Sequence, residues 1–175
     1  MAWTAPRTWN IGELVTKVIM DTHIRDNLNY LASTMEVWVP VTAAISTTNY
    51  PILSGHYGFV RLSSLNDEAV CVFRCPDNYG SIVTAKMIVS PVANQATANW
   101  DIETLYAAEG ELINNHNEAD AATTYNVIQD TYYGVDFSGI LTALAAGDIV
   151  HCTILLADAI HDLSVYGFRF VYNIA

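Results

Sequence analysis

The chain holds five histidines, three cysteines and eighteen acids, and the spacing of these groups limits the chemistry open to it. His23, His56, His116, His151 and His161 are scattered, with no His-Glu-x-x-His pair, nucleophile elbow, glycine-rich phosphate loop or Cys-x-x-Cys motif among their neighbours. His161 with Asp158 and Asp162 is the nearest approach to a metal cluster, and it reads better as a solvated turn before the last strand. Glu109, Glu111, Glu118 and Asp120, set around Asn114, Asn115 and His116, offer the oxygen ligands Ca²⁺ takes but lack EF-hand spacing. Two carboxylates facing each other across a groove would suit glycoside hydrolysis, yet nothing in the spacing selects a pair. Tyr132 and Tyr133, beside a turn, are candidates for loops that stack on a sugar. The reading is therefore of a non-enzyme with no catalytic residue, metal or cofactor.

Cys71, Cys75 and Cys152 are an odd set. If Cys71 and Cys75 share a strand they lie about 13 Å apart, beyond disulfide reach. All three read as reduced core thiols.

At 175 residues the chain fits one globular domain with an appendage. It is 52% hydrophobic and only 14% charged, which suits a chain that buries much of its surface in its fold or against partners. The net charge is -11, and no Lys or Arg falls between Lys86 and Arg169, so a basic nucleic-acid patch is excluded. Arg7, Lys17 and Arg25 lie near the front, which makes the body the more acidic part. No apolar run is long enough to span a bilayer, and the opening residues lack a signal peptide's basic start and apolar middle. Synthesis in the cytosol without membrane contact is expected.

The first fifteen residues carry Trp3, Pro6, Arg7, Trp9 and Glu13 without helical or strand period, and so read as an extended arm. Two tryptophans need a surface to cover them, on this domain or on a neighbouring chain. Thr16 then fits an N-cap, and Met20, Ile24, Leu28, Leu31 and Met35 recur at helical spacing to form one apolar stripe. Asp21 and Arg25 sit four apart as a weak ion pair. Such a helix, about 20 residues long, is marginal alone and must lay its stripe on its own domain or on copies of itself. The boundary falls near Met35, giving residues 1–36 as arm and helix for anchoring and oligomerisation, and 37–175 as the body.

From residue 37 onward β-branched and aromatic residues dominate, punctuated by turn formers. Eight strands are expected near 37–41, 56–62, 69–75, 81–89, 98–106, 124–132, 148–156 and 165–172. Pro40 confines the first to an edge. Alternation is clearest in Trp100, Ile102, Thr104 and Tyr106, in Val150, Cys152, Ile154 and Leu156, and in Phe168, Phe170 and Tyr172. Residues 140–146 suit a short helix as well as a strand extension. The fold class is all-β, an eight-stranded antiparallel sandwich of jelly-roll type preceded by an arm and one α-helix.

The run from Trp3 to Leu28, with its Pro-Arg-Thr-Trp arm, Gly-Glu-Leu-Val-Thr turn and Arg-Asp-Asn-Leu helix, resembles an opening of tailed-bacteriophage structural proteins. The closing segments Ala146 to Val150 and Tyr166 to Tyr172 look like the same proteins' last strands. Asp21 replaces a usual Asn, and residues 157–164 are poorer in Asp, Thr and Gly than that family's loop. The resemblance implies a virion component, made in the host cytoplasm, often a homotrimer. Its partners would be copies of itself and the major capsid protein or another virion protein, with no nucleic acid or membrane. A capsid-surface role, as decoration or head fibre, is the expectation, because the body is compact and no fibrous shaft follows the helix. The alternative is a tail-associated module that binds host glycan through the sandwich loops, and a small glycan hydrolase is more remote.

Overall fold

The computed structural model describes residues 8, 12, 14–25, 28, 33–45, 52–54, 58–120, 123–157 and 162–175. Trp3, Pro6, Arg7, Trp9, Glu13 and Leu31, and with them the arm, lie outside this set.

Among the described residues twelve strands form two antiparallel six-stranded sheets: β1 (Thr34–Pro40), β2 (Ala43–Ile45), β3 (Ile52–Ser54), β4 (Phe59–Leu62), β5 (Glu68–Arg74), β6 (Tyr79–Pro91), β7 (Gln95–Ala107), β8 (His116–Ala119), β9 (Thr123–Val127), β10 (Tyr133–Asp136), β11 (Ile149–Leu156) and β12 (Leu163–Ile174). The first sheet runs β10-β6-β12-β4-β3, with β1 also on β12. The second runs β2-β5-β11-β7-β8, with β9 also on β7. Successive strands from β4 to β7 alternate between sheets, and the last two strands slot between earlier ones. The resulting orders β4-β12-β6-β10 and β5-β11-β7-β9 are those of a jelly roll. The expected all-β sandwich is what forms, and each of the eight expected strands is present.

Alternation explains the layers. Val60 and Leu62, Met87 and Val89, and Phe168 and Phe170 face Cys71, Trp100, Ile102, Tyr106, Val150, Cys152 and Ile154 across the core. At its centre Phe168 meets Phe73 edge-on at 4.9 Å and Phe137 at 5.5 Å, an arrangement that aligns ring edges with ring faces. The three cysteines are free and buried, and burial pushes the Cys71 and Cys75 thiols up to about 12. Cys71 lies opposite Cys152 on the neighbouring strand.

Four short strands, β2, β3, β8 and β10, go beyond the expected eight. Residues 140–146 form no helix. A 3₁₀ turn over Ser138–Ile140 precedes a loop tied by side chains: Glu118 accepts from the Thr142 amide and hydroxyl, and Asp148 from the Ala145 amide. These contacts hold the backbone out of helical register.

Thr16 caps α1 (Lys17–Met20) as its position predicts, with Oγ1 accepting from the Ile19 amide at 3.4 Å. The following turn, Asp21–Arg25, is a π turn, and its wider winding carries Ile24 off the line of a 3.6-residue stripe. Asp21 bridges Lys17 at 2.6 Å and Arg25 at 3.0 Å. No residue of either turn is buried; Met20, Ile24 and Leu28 are exposed. Met35 corrects the expected stripe. It belongs to β1, opposite Tyr172, because Val37 and Val39 set a two-residue period that reaches back through it. Strand structure thus begins at Thr34, and Pro40 sits on an edge as expected.

Candidate functional site

The outer face of the first sheet carries a group of exposed and half-buried aromatic side chains, and a change of partner along β12 positions it. β12 pairs with β4 through residues 163–165 and with β1 through residues 167–173. Between these spans the β6 register slips by one residue, so that Tyr166 is the extra residue of a bulge. Val165 and Phe168 both enter the core, which leaves Tyr166 and Gly167 on the outer side between them.

Tyr166 gathers its neighbours. Phe59, at the start of β4, lies beside it at 5.3 Å between ring centroids; Tyr132, from the loop before β10, stands edge-on at 5.0 Å. Tyr132 is 68% exposed. Burial, followed by a hydrogen bond with Tyr132 and the negative charge of Asp130, pushes the Tyr166 hydroxyl up to about 12, so it stays a neutral phenol throughout the physiological range.

Next to this group lies a low floor. Pro40, Gly167, Ile88 and Gly134 occupy matching positions across β1, β12, β6 and β10. A Cβ on Gly167, whose φ is +144°, would meet the Val39 carbonyl oxygen at 2.3 Å and Trp38 Cζ2 at 3.1 Å. Only glycine lets β1 and the Trp38 ring come this close. Beyond the floor runs a second row, Trp38, Arg169, Lys86 and Asp136, and Trp38 is 50% exposed. Two outward positions along a strand are about 7 Å apart, so the two rows lie side by side on the open sheet face at the spacing of a sugar ring.

Both arginines here are tied to carboxylates. Arg169 Nη2 reaches Glu36 Oε2 at 2.8 Å, and this hydrogen bond holds the Glu36 carboxyl below its ordinary range. Arg61 donates to Asp162 from Nε at 2.9 Å and also from Nη2. Aromatic faces with ring-edge hydrogen-bonding groups can take the C–H face of a pyranose while charged and hydroxyl groups meet its rim.

The expected site residues are not all here. Tyr132 is on this surface, but Tyr133 is half-buried in β10, accepting the Ile128 amide at 2.7 Å and packing against the core. Asp162 serves Arg61, while Asp158 and His161 lie outside the described residues. The acidic loop disperses: Glu111 accepts from the Ala108 amide and Asn115, whereas Glu118 accepts from Tyr106 and Thr142. Among the described residues no group of His, Cys, Asp and Glu is placed to hold a metal ion. Trp38, Phe59 and Tyr166 were not singled out from the sequence. Their signals were an outward Trp between Val37 and Val39, and a Tyr-Gly step that breaks the alternation from Val165 to Phe168.

The Tyr166 group lies away from the end where the N-terminal segment joins, whereas Glu36 and Trp38 lie nearer to it. The Ser33 carbonyl accepts from the Ile174 amide, and the Ala175 amide donates to Asn78, so the segment enters at the far end of β12. Tyr166 is eight residues back along that strand from Ile174, on the order of 25 Å.

No family model and no curated protein matches the chain. Among solved structures it is similar to a xylan-binding module, at 16% identity and TM-score 0.48, over 79% of this chain and 95% of that one. It is also similar to the family 11 carbohydrate-binding module from Clostridium thermocellum, solved with a mixed-linked tetrasaccharide, at 11% identity and TM-score 0.42, over 79% and 88% of the two chains. A family two carbohydrate esterase from Cellvibrio japonicus is similar at 6% identity and TM-score 0.41, over 82% of this chain and 35% of that one, so the chain spans about a third of its length. These likenesses are remote, and no ligand or residue role is carried over from them. The topology by itself makes the chain an antiparallel jelly-roll sandwich.

Proposed function

We propose that this chain is a non-catalytic glycan-binding sandwich, carried on a phage tail and attached through its N-terminal segment. The observation that carries the reading is the aromatic group on the first sheet, in which Phe59 and Tyr132 gather on Tyr166, with Trp38 exposed beside the neighbouring Gly167. A soluble domain leaves large aromatic side chains clustered in water when a ligand or partner covers them. A flat, partly polar aromatic surface suits the alternating C–H and O–H faces of a sugar. The virion setting rests on the resemblance of the opening segment to tailed-phage structural proteins. The separation of that segment's entry point from the Tyr166 group fits a module held at one end and presenting the other.

A decoration or head-fibre role on the capsid would use the N-terminal segment equally well. It gives the aromatic face no task, and for that reason the adhesin is preferred. Self-association through the exposed Met20, Ile24 and Leu28 belongs to the same proposal. Electron microscopy of particles labelled on this chain decides the location: signal at the tail tip supports the reading, and signal over the capsid lattice overturns the tail assignment. Particle-free chain screened on a glycan array tests the binding itself.

A further inference from the structure

We infer that the platform selects an uncharged glycan and discriminates against anionic ones; this rests on the glycan-binding reading above. An acidic sugar, whether uronate, sialate or phosphate-substituted, needs a cation free to meet its charge. The guanidiniums bordering the platform are already committed. Arg61 spends two N–H groups on Asp162, and Arg169 is joined to Glu36 beside Trp38. Lys86, the other cation of this face among the described residues, has no ion pair of its own, but it lies opposite Asp136 on β10, which offsets its charge, and its side chain leans over Gly134, 3.1 Å from where a Cβ would stand. Asp130 adds a negative charge close to Tyr166. Around this surface the chain carries a net -11, which repels a polyanion at long range.

The pairing serves a neutral ligand in a second way. A carboxylate held by an arginine keeps a free lone pair for a sugar hydroxyl, and an arginine held by a carboxylate keeps a free N–H. The pair thus offers both halves of a hydroxyl's hydrogen-bonding need at fixed positions and adds no net charge. The platform also lies on an open sheet face, so a glycan can lie across it through the middle of its chain.

The test uses the full chain, calorimetric titration, and two probe sets: neutral hexose and pentose oligosaccharides of four to six units, and matched oligosaccharides bearing uronate or sialate. Wild type should bind a member of the neutral set and no member of the anionic set. Glu36→Gln and Asp162→Asn each release an arginine, and each should raise affinity for anionic probes about tenfold, with an increase that fades as salt rises. Tighter wild-type binding to anionic probes overturns the selectivity while leaving glycan binding in place. Unchanged anionic affinity in both variants overturns the role given to the ion pairs. Binding to neither set overturns the glycan reading itself, and this inference with it.

Discussion

Tyr132 meets Tyr166 edge-on, with ring centroids 5.0 Å apart and planes at 68°, so that a loop residue and a bulge residue on two different strands form one surface. Their hydroxyls are linked as well, and burial together with that link holds the Tyr166 phenol up at about 12.

The first prediction follows from this pair. A tyrosine whose folded pKa is raised adds stability that is complete below the ordinary value near 10 and is lost as pH climbs toward about 12. Ultraviolet titration should show late-ionising phenols, Tyr166 among them with the half-buried Tyr79 and the buried Tyr106, and stability should decline over that same window. Tyr132→Phe removes the hydrogen bond and should bring one of these late phenols earlier. Late phenols that do not move in Tyr132→Phe would mean the two hydroxyls are not coupled.

Gly167 is the second test. Its φ of +144° and the Val39 carbonyl 2.3 Å from an added Cβ leave no room for a side chain. Gly167→Ala should cost about 3 kcal/mol or more by forcing β1 off β12, measured by chemical denaturation. Hydrogen exchange should then rise across Thr34–Pro40 before it rises elsewhere.

Glu118 sets the acid limb. Burial pushes its carboxyl up, but hydrogen bonds from Tyr106 and from the hydroxyl and amide of Thr142 outweigh this and hold it below 4.5. A depressed carboxylate stabilises the fold above its unfolded pKa, and the gain disappears as pH falls through the folded value. Stability should therefore drop below about pH 4.5, and Glu118→Gln should flatten part of that drop while loosening the loop at Thr142 and Ala143. A wild-type acid limb with the same slope as the variant's would count against this.

Phe168 anchors the core by contacts with Phe73, Phe137 and Phe170 and is fully buried. Phe168→Ala should destabilise by roughly 3–5 kcal/mol, a cavity cost that urea denaturation resolves. A loss below about 1 kcal/mol would mean the sheets close over the gap.

What could be read in the sequence was governed by periodicity. Every second residue from Val150 to Leu156 and from Phe168 to Tyr172 is apolar and buried, so these strands and their inward residues were visible despite the apolar Leu155 and Val171 between them. The short strands β8 and β10 lack that imprint; Tyr133–Asp136 spans four residues and pairs only with β6. The helical stripe was overextended to Met35 because its last step, four residues, falls on one face in a strand as well as in a helix. The site was legible only at Tyr132. Phe59 meets Tyr166 and Trp38 meets Gly167 through pairings of β4 and β1 with β12, and such contacts between distant segments leave no local pattern.

The most direct measurement is a calorimetric titration of the full chain with neutral oligosaccharides, run beside Trp38→Ala and Tyr132→Ala. Losing one stacking face removes roughly 1–1.5 kcal/mol. Each variant should thus bind about tenfold more weakly than wild type with its denaturation midpoint unchanged. Undiminished affinity in both variants would contradict the platform, and no binding by wild type across the neutral and anionic sets would contradict the function proposed for it.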